Sequence, residues 1–159
     1  MSRRIKLIGA LVALAAVAVT VPLALASRTN DNRLVIGVRV DFDSSTHATG
    51  TFAACCAVND DGTAEAQVLS FDPNKAGTEA TFRATNTFNG QKGSFTIQLR
   101  GVTGPLDSLR HIAHASWRVI DGTGAYAGLD GDGQLTAMTD ETNGSLTAVA
   151  EGEGHGASG

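Results

Sequence analysis

The sequence has few of the residues on which disulfide-rich, fibrous and nucleic-acid-binding proteins depend. Two cysteines among 159 residues exclude a disulfide scaffold, and three prolines exclude a collagen-like or proline-rich chain. Twelve basic residues face sixteen acidic ones, and the net charge of −4 argues against nucleic acid, which needs a clustered basic surface. The whole sequence is 42% hydrophobic and contains nineteen glycines, which indicates a compact domain with many tight turns.

The N-terminal 26 residues have the parts of a secretory signal peptide. A basic head at 3–6 precedes an apolar run at 7–25, and an Ala-Leu-Ala motif at 24–26 supplies the small residues that signal peptidase needs. We predict cleavage after Ala26 and a secreted, extracellular chain that begins with a short linker at 27–32; a retained membrane anchor is the alternative. Nine basic residues then face sixteen acidic ones, and this mature charge of −7 predicts no nucleic-acid partner and no membrane.

From residue 33 onward, apolar and polar residues alternate in short segments separated by turn residues. A period of two is typical of β-strands that bury one face, and helical periodicity does not persist anywhere for more than about two turns. Phe95, Ile97 and Leu99 form one apolar face, for example, while Asn89-Gly90 predicts a hairpin turn.

About eight such strands follow one another, and no helical segment is available to cover a sheet. A sheet that closes on itself buries its apolar face and removes both edges. The predicted fold class is therefore all-β, an eight-stranded antiparallel barrel over 33–152, with a flexible tail at 153–159. Two packed sheets are the alternative.

The most distinctive segment runs from Ala115 to Gly133 and reads ASWRVIDGTGAYAGLDGDG. An apolar strand meets a Gly-x-Gly-x-aromatic-x-Gly turn, and a glycine-containing strand follows. With the hairpin at 78–98, this order resembles the allene oxide cyclase and dirigent-protein barrel superfamily. The resemblance implies a calycin-type barrel, often a homotrimer, with an apolar cavity that guides a cyclisation, isomerisation or radical coupling without a cofactor. The polar groups in those cavities are not matched here position by position, so the catalytic residues and the enzymatic status stay open.

The interior of such a barrel predicts binding of an apolar or aromatic small molecule. Small residues at several inward positions favour a cavity over a filled core. We expect a binding protein, or a cofactor-independent cyclase or coupling guide that confines one conformer. The alternative is a non-catalytic exported structural or interaction module with a filled barrel. Tyr126 is expected to offer its hydroxyl at the mouth. The expected lining residues are Phe52, Cys56, Phe82, Phe95, Ile97, Trp117, Tyr126 and Leu135.

The two cysteines, Cys55 and Cys56, are adjacent and should point to opposite sides of their strand. The neighbouring apolar residues predict that Cys56 faces inward and Cys55 outward. A vicinal disulfide, an intermolecular bridge through Cys55 and two thiols are the alternatives, of which we favour the thiols.

Neither a metal nor a cofactor is predicted. His111 and His114 should lie on opposite faces of one strand, which separates them too far for shared ligation. The motif Gly122-Thr123-Gly124 is not followed by the helix that a dinucleotide site requires, so we interpret it as a sharp corner between strands.

Overall fold

The computed structural model describes residues 32–157, which form a closed antiparallel barrel. Each strand pairs with the next along the chain, and the last pairs back with the first. The predicted all-β eight-stranded barrel is confirmed, and the alternative of two packed sheets is wrong. The strands are β1 (Arg33–Phe42), β2 (His47–Cys56), β3 (Asp60–Pro73), β4 (Ala80–Gly90), β5 (Ser94–Pro105), β6 (Arg110–Gly122), β7 (Asp130–Asp140) and β8 (Ser145–His155).

The period of two in the sequence explains why the sheet closes. Every second side chain points into the lumen, where Trp117 of β6 lies between its register partners Leu99 of β5 and Gly133 of β7. Trp117 is 2% exposed. The inner face of β1 is aliphatic, with Leu34 and Ile36 fully buried. Apolar burial of this kind contributes about 25 cal/mol per Å², and it is available only if the inner face is continuous.

The two ends of the barrel differ. At one end, here called the capped end, the turn at 57–59 and the corner at 123–129 bury Val58, Tyr126 and Leu129. At the opposite end, here called the open end, four hairpin turns surround apolar side chains that pack against the core but are only partly buried. These turns are 43–46, 74–79, 106–109 and 141–144, and the side chains are Phe42, Phe82 and Leu146.

The corner of the capped end contains a short 3-10 helix, Gly124–Tyr126. Gly124 has φ +59, a left-handed conformation that a glycine adopts without steric cost. Gly122 allows a close approach, because a Cβ there would lie 1.9 Å from the carbonyl oxygen of Tyr126. The prediction of a sharp corner at 122–124 is therefore confirmed.

Several predicted boundaries shift. The motif Asn59-Asp60-Asp61-Gly62 predicts a hairpin turn at 59–62, but the turn occupies 57–59 and Asp60 already belongs to β3. The alternation in β3 is compatible with an inner face at either 64/66/68 or 69/71. A bulge between Val68 and Ser70 shifts the register, and beyond it Phe71 is exposed. β8 continues to His155, past the predicted tail boundary at 152, because these residues pair with β7.

The predicted signal peptide at 1–26 and most of the linker lie outside the described residues. Within 32–157, the chain contains no helix of the length and hydropathy needed to cross a bilayer.

Candidate functional site

The lumen brings most of the predicted lining residues together. Seven of the eight expected side chains belong to the core or pack against it, and Phe82, near the open end, is the partly buried one. The six fully buried ones are Phe52, Phe95, Ile97, Trp117, Tyr126 and Leu135.

Cys56 is the exception, and its predicted inward orientation is wrong. The residue is exposed, and its φ of +82 breaks the alternation of β2 at the last position of the strand. Cys56 therefore does not line the lumen.

Four aromatic rings fill the half of the lumen toward the capped end. The centroid of Phe88 lies 5.1 Å from that of Phe52 and 4.9 Å from that of Phe95. Tyr126 packs its ring edge-to-face against Phe95 at 5.4 Å. Tilted and edge-to-face pairs at these distances are favourable beyond simple burial. This half of the barrel is a packed core.

A buried carboxylate closes the capped end above these rings. Asp60 is 8% exposed and accepts four hydrogen bonds. Its Oδ1 accepts from the backbone N–H of Asp61 at 2.9 Å and of Gln91 at 3.1 Å. Its Oδ2 accepts from the backbone N–H of Lys92 at 3.0 Å and from the hydroxyl of Tyr126 at 2.9 Å. The carboxylate therefore ties together the 91–93 turn, the start of β3 and the corner.

This network sets the ionisation of both side chains. Burial by itself raises the pKa of Asp60, but the N–H of Lys92 and the hydroxyl of Tyr126 oppose it, and with the remaining donors they hold the pKa below its ordinary value. Burial first, and then the hydrogen bond to Asp60, raise the pKa of Tyr126 far above its ordinary value. The prediction that Tyr126 offers its hydroxyl at the mouth is wrong, because Asp60 accepts that hydroxyl inside the capped end.

The half of the lumen toward the open end has a different composition. Its wall consists largely of alanine contributed by six strands, so its side chains are smaller than the rings of the aromatic half. These inward-facing residues, all partly or fully buried, are Ala48, Ala64, Ala66, Ala84, Ala113, Ala115, Ala137 and Ala148. Of the small residues predicted to point inward, Ala84, Ala115 and Ala137 belong to this wall, whereas Ala54 pairs with Asp60 at the capped end.

Asn86 is the polar side chain in this apolar wall. It lies on β4 between Ala84 and Phe88, pairs with Ala66 and Ile97 in register, and is 6% exposed. Its amide makes no hydrogen bond to any residue within 32–157. Over the same residues, every side-chain nitrogen or oxygen that is completely buried has a hydrogen-bond partner. The amide of Asn86 therefore borders space that a small molecule can reach.

None of the described histidines is buried, and most of them pair with an acidic side chain. His47, near the open end, places Nδ1 2.7 Å from Asp43 and Nε2 3.0 Å from Glu65. These two hydrogen bonds, that of Glu65 first, raise the pKa of His47. His111 pairs with Glu141 at 3.0 Å, whereas His114 is exposed on the other face, as predicted. Among the described residues, no group of three or more His, Cys, Asp or Glu side chains is arranged to hold a metal ion.

Two hollows lie on the outer surface. One of about 320 Å³ is lined by Thr78, Glu79, Val102 and neighbouring residues of β5 and β6. The other, of about 330 Å³, includes Arg100 and Arg118 together with Trp117. Neither hollow is lined by Asn86 or by a residue of the alanine wall.

A family model described as "Protein of unknown function (DUF3224)" matches residues 44–153. The chain belongs to this family. No curated protein and no solved structure was found to match it. The DUF3224 match begins after β1 and reaches into β8, so it includes seven of the eight strands. Asp60, Asn86 and Tyr126 all lie within it.

Proposed function

We propose that this DUF3224 barrel is an exported protein that binds a small, mainly apolar molecule in the alanine-lined half of its lumen. The ligand would enter through the open end and carry one hydrogen-bonding group, which the amide of Asn86 would recognise. The observation that supports the proposal is the amide itself, which points into an apolar wall, has no hydrogen-bond partner within 32–157 and borders accessible space.

The size and shape of the ligand follow from the two halves of the lumen. The half of the lumen toward the capped end is occupied by the rings of Phe52, Phe88 and Phe95. A ligand would therefore contact these rings and remain within the half toward the open end. The alanine wall has no charge to offer, which favours an uncharged apolar body. Phe82 and Leu146, partly buried at the open end, would be the first side chains to contact an entering ligand.

Guided cyclisation or coupling extends this proposal beyond binding. Its basis is the resemblance of residues 115–133 to the allene oxide cyclase and dirigent-protein barrels, together with the trimer that this resemblance implies. Confinement of one conformer requires shape more than acid–base groups. Native mass spectrometry tests the trimer, and export of a tagged full-length chain into the medium tests the signal peptide.

The binding proposal is tested with phenol and benzene, two probes that differ by one hydroxyl. We expect phenol to shift the amide signals of Ala84, Asn86 and Ile97 in an NMR titration, because these residues surround the site. The Asn86→Ala variant should bind phenol about 3- to 10-fold more weakly, the equivalent of one hydrogen bond, while benzene binding is unchanged or tighter.

Asn89→Ala is the matched control, because Asn89 lies three residues further along β4 and its side chain is exposed. It should leave both affinities unchanged. If neither probe shifts a lumen signal, or if Asn86→Ala weakens both probes equally, the binding proposal is wrong.

A filled barrel that acts through its outer face is the second candidate. The ring cluster at 4.9–6.0 Å and the buried Asp60–Tyr126 pair favour it, because they resemble a core built for stability. In that case Asn86→Leu should stabilise the barrel and no apolar probe should enter the lumen. A DUF3224 barrel that binds small ligands should instead lose phenol binding in this variant.

A further inference from the structure

Cys56 has a backbone conformation that is unusual for its type. Among residues 32–157 it is the one residue other than glycine with a positive φ, at +82. A side chain with a Cβ is strained in this region, and glycine or asparagine is the ordinary occupant. A strained position that is held by its surroundings is a reason to look for a function.

This backbone conformation brings two thiols together. On a regular strand, adjacent side chains point to opposite faces. The positive φ of Cys56 turns its side chain toward that of Cys55, and the two Sγ atoms lie 2.8 Å apart. Both residues are exposed. The result is a vicinal pair of sulfurs that faces solvent.

The surroundings hold this geometry in place. The N–H of Ala57 donates to the carbonyl oxygen of Arg33 at 2.9 Å, and Val58, 1% exposed, anchors the turn in the core. Cys56 is also in register with Leu34 of β1. The two sulfurs therefore sit on a part of the chain that is fixed on both sides.

We propose that Cys55 and Cys56 form a thiol–disulfide exchange site that a small disulfide, such as oxidised glutathione, converts into an eight-membered vicinal disulfide ring. This inference is independent of the lumen and of the proposed binding function. A metal site is a weaker interpretation, because within the described chain no cluster of three or more metal-ligating side chains includes these sulfurs.

The reaction balances in two exchanges. The thiolate of one cysteine attacks a sulfur of oxidised glutathione, breaks its S–S bond and releases one glutathione, which leaves a mixed disulfide on the protein. The neighbouring cysteine loses its proton and attacks the protein sulfur of that mixed disulfide, which releases the second glutathione. The cysteine pair is oxidised by two electrons, and the small disulfide is reduced to two thiols.

The geometry predicts that the second exchange is faster than any intermolecular reaction of the mixed disulfide. The second sulfur is already next to the mixed disulfide, so closure is intramolecular and independent of protein concentration. The mixed disulfide should therefore not accumulate in the wild-type protein, whereas it should persist wherever the neighbouring thiol is missing or misplaced.

The test is intact mass spectrometry of the folded full chain. The protein is first reduced, then treated with oxidised glutathione and finally alkylated with iodoacetamide. We expect the reduced wild type to take up two alkyl groups. After treatment it should take up none, carry no glutathione and be lighter by two hydrogens. Cys55→Ser and Cys56→Ser should each retain one glutathione.

A matched control separates geometry from the mere presence of two thiols. In the double variant Thr51→Cys, Cys56→Ser, the cysteines at 51 and 55 are both exposed on β2 but lie four residues apart, roughly 13 Å along the strand. That spacing is too long for a disulfide without backbone movement. This variant should accumulate glutathione adducts, while circular dichroism verifies that it is folded.

Three outcomes would overturn the inference. The first is a stable glutathione adduct on the wild type, the second is a disulfide-linked dimer, and the third is full alkylation of the wild type after treatment. Ring closure by the 51/55 variant at the wild-type rate would remove the role assigned to the backbone of Cys56.

Discussion

The contribution of the Tyr126–Asp60 hydrogen bond to the stability of the capped end can be tested by removing one oxygen atom. Tyr126→Phe keeps the ring in its edge-to-face contact with Phe95 and deletes only the donor to Asp60. The carboxylate retains its three backbone donors. The substitution therefore measures a single hydrogen bond to a buried charge, without a cavity.

The expected loss is about 1.5–3 kcal/mol at neutral pH, the usual range for a hydrogen bond to a charged group. For a barrel of this size, that loss corresponds to a Tm lower by roughly 5–12 °C. The protein contains one tyrosine and one tryptophan, so the fluorescence of buried Trp117 reports unfolding of the barrel in urea. Two-state analysis of both proteins should give equal m-values and different midpoints.

The difference in unfolding free energy between the wild type and Tyr126→Phe should also depend on pH. The pKa of Asp60 is lowered in the folded protein, so this carboxylate contributes stability above its ordinary value of 3.8. That contribution is lost as the pH falls through the lower, folded-state pKa. The gap between the wild type and Tyr126→Phe should therefore be constant from pH 7 to about 5 and narrow toward pH 2.

Thr147→Val is the control, since this hydroxyl is exposed on β8 and its removal should change stability by less than about 0.5 kcal/mol. A Tyr126→Phe loss no larger than that of the control would refute the role assigned to the hydroxyl. A loss that stays constant down to pH 2 would show that the charge of Asp60 is not involved.

Two further predictions concern the open end and the corner. His47→Gln should destabilise the barrel more at pH 5 than at pH 9. Hydrogen bonds, that of Glu65 first, raise the pKa of His47 in the folded protein. The stability that the protonated His47 contributes is therefore present below pH 6.5 and is lost as the pH rises through the folded-state pKa. Equal losses by thermal melts at both pH values would contradict this. Gly122→Ala should displace the corner, because its Cβ would lie 1.9 Å from the carbonyl oxygen of Tyr126. Gly37→Ala, with its nearest neighbour at 3.8 Å, should be nearly neutral, and similar melting temperatures for these two variants would disprove the close-contact argument.

The strands could be predicted because a closed sheet enforces strict alternation. A one-residue slip would turn Phe95, Ile97 and Trp117 outward, so the register is fixed by the sequence wherever one face is buried. Asn86 could have been found in the same way, by extending the alternation of β4 from Ala84 to Phe88. Nothing local, however, distinguishes its amide from an ordinary strand residue.

Asp60 could not be predicted from its neighbours. Asn-Asp-Asp-Gly is typical of a hairpin turn, and the donors that bury this carboxylate come from Gln91, Lys92 and Tyr126, between 31 and 66 residues away. Such a site depends on the closed barrel and has no signature in a short window of sequence.

The orientation of the Cys56 side chain could not be predicted, for a different reason. Alternation assigns it to the inner face, and this holds only while the backbone stays extended. The change to positive φ at the end of β2 is a property of the turn that follows, in which Val58 becomes buried. A residue at the end of a strand can therefore leave the pattern that its neighbours obey.

The pairing of β1 with β8 has a practical consequence for handling the protein. The N–H of Gly154 donates to the carbonyl oxygen of Asn32 at 2.7 Å, so both ends of the described chain leave side by side at the capped end. A tether attached at residue 32 or at residue 157 therefore lies at the capped end, on the side of the barrel opposite the open end. A short peptide could join these termini, with new ends cut in the hairpin at 141–144, and all eight strand pairings would be kept.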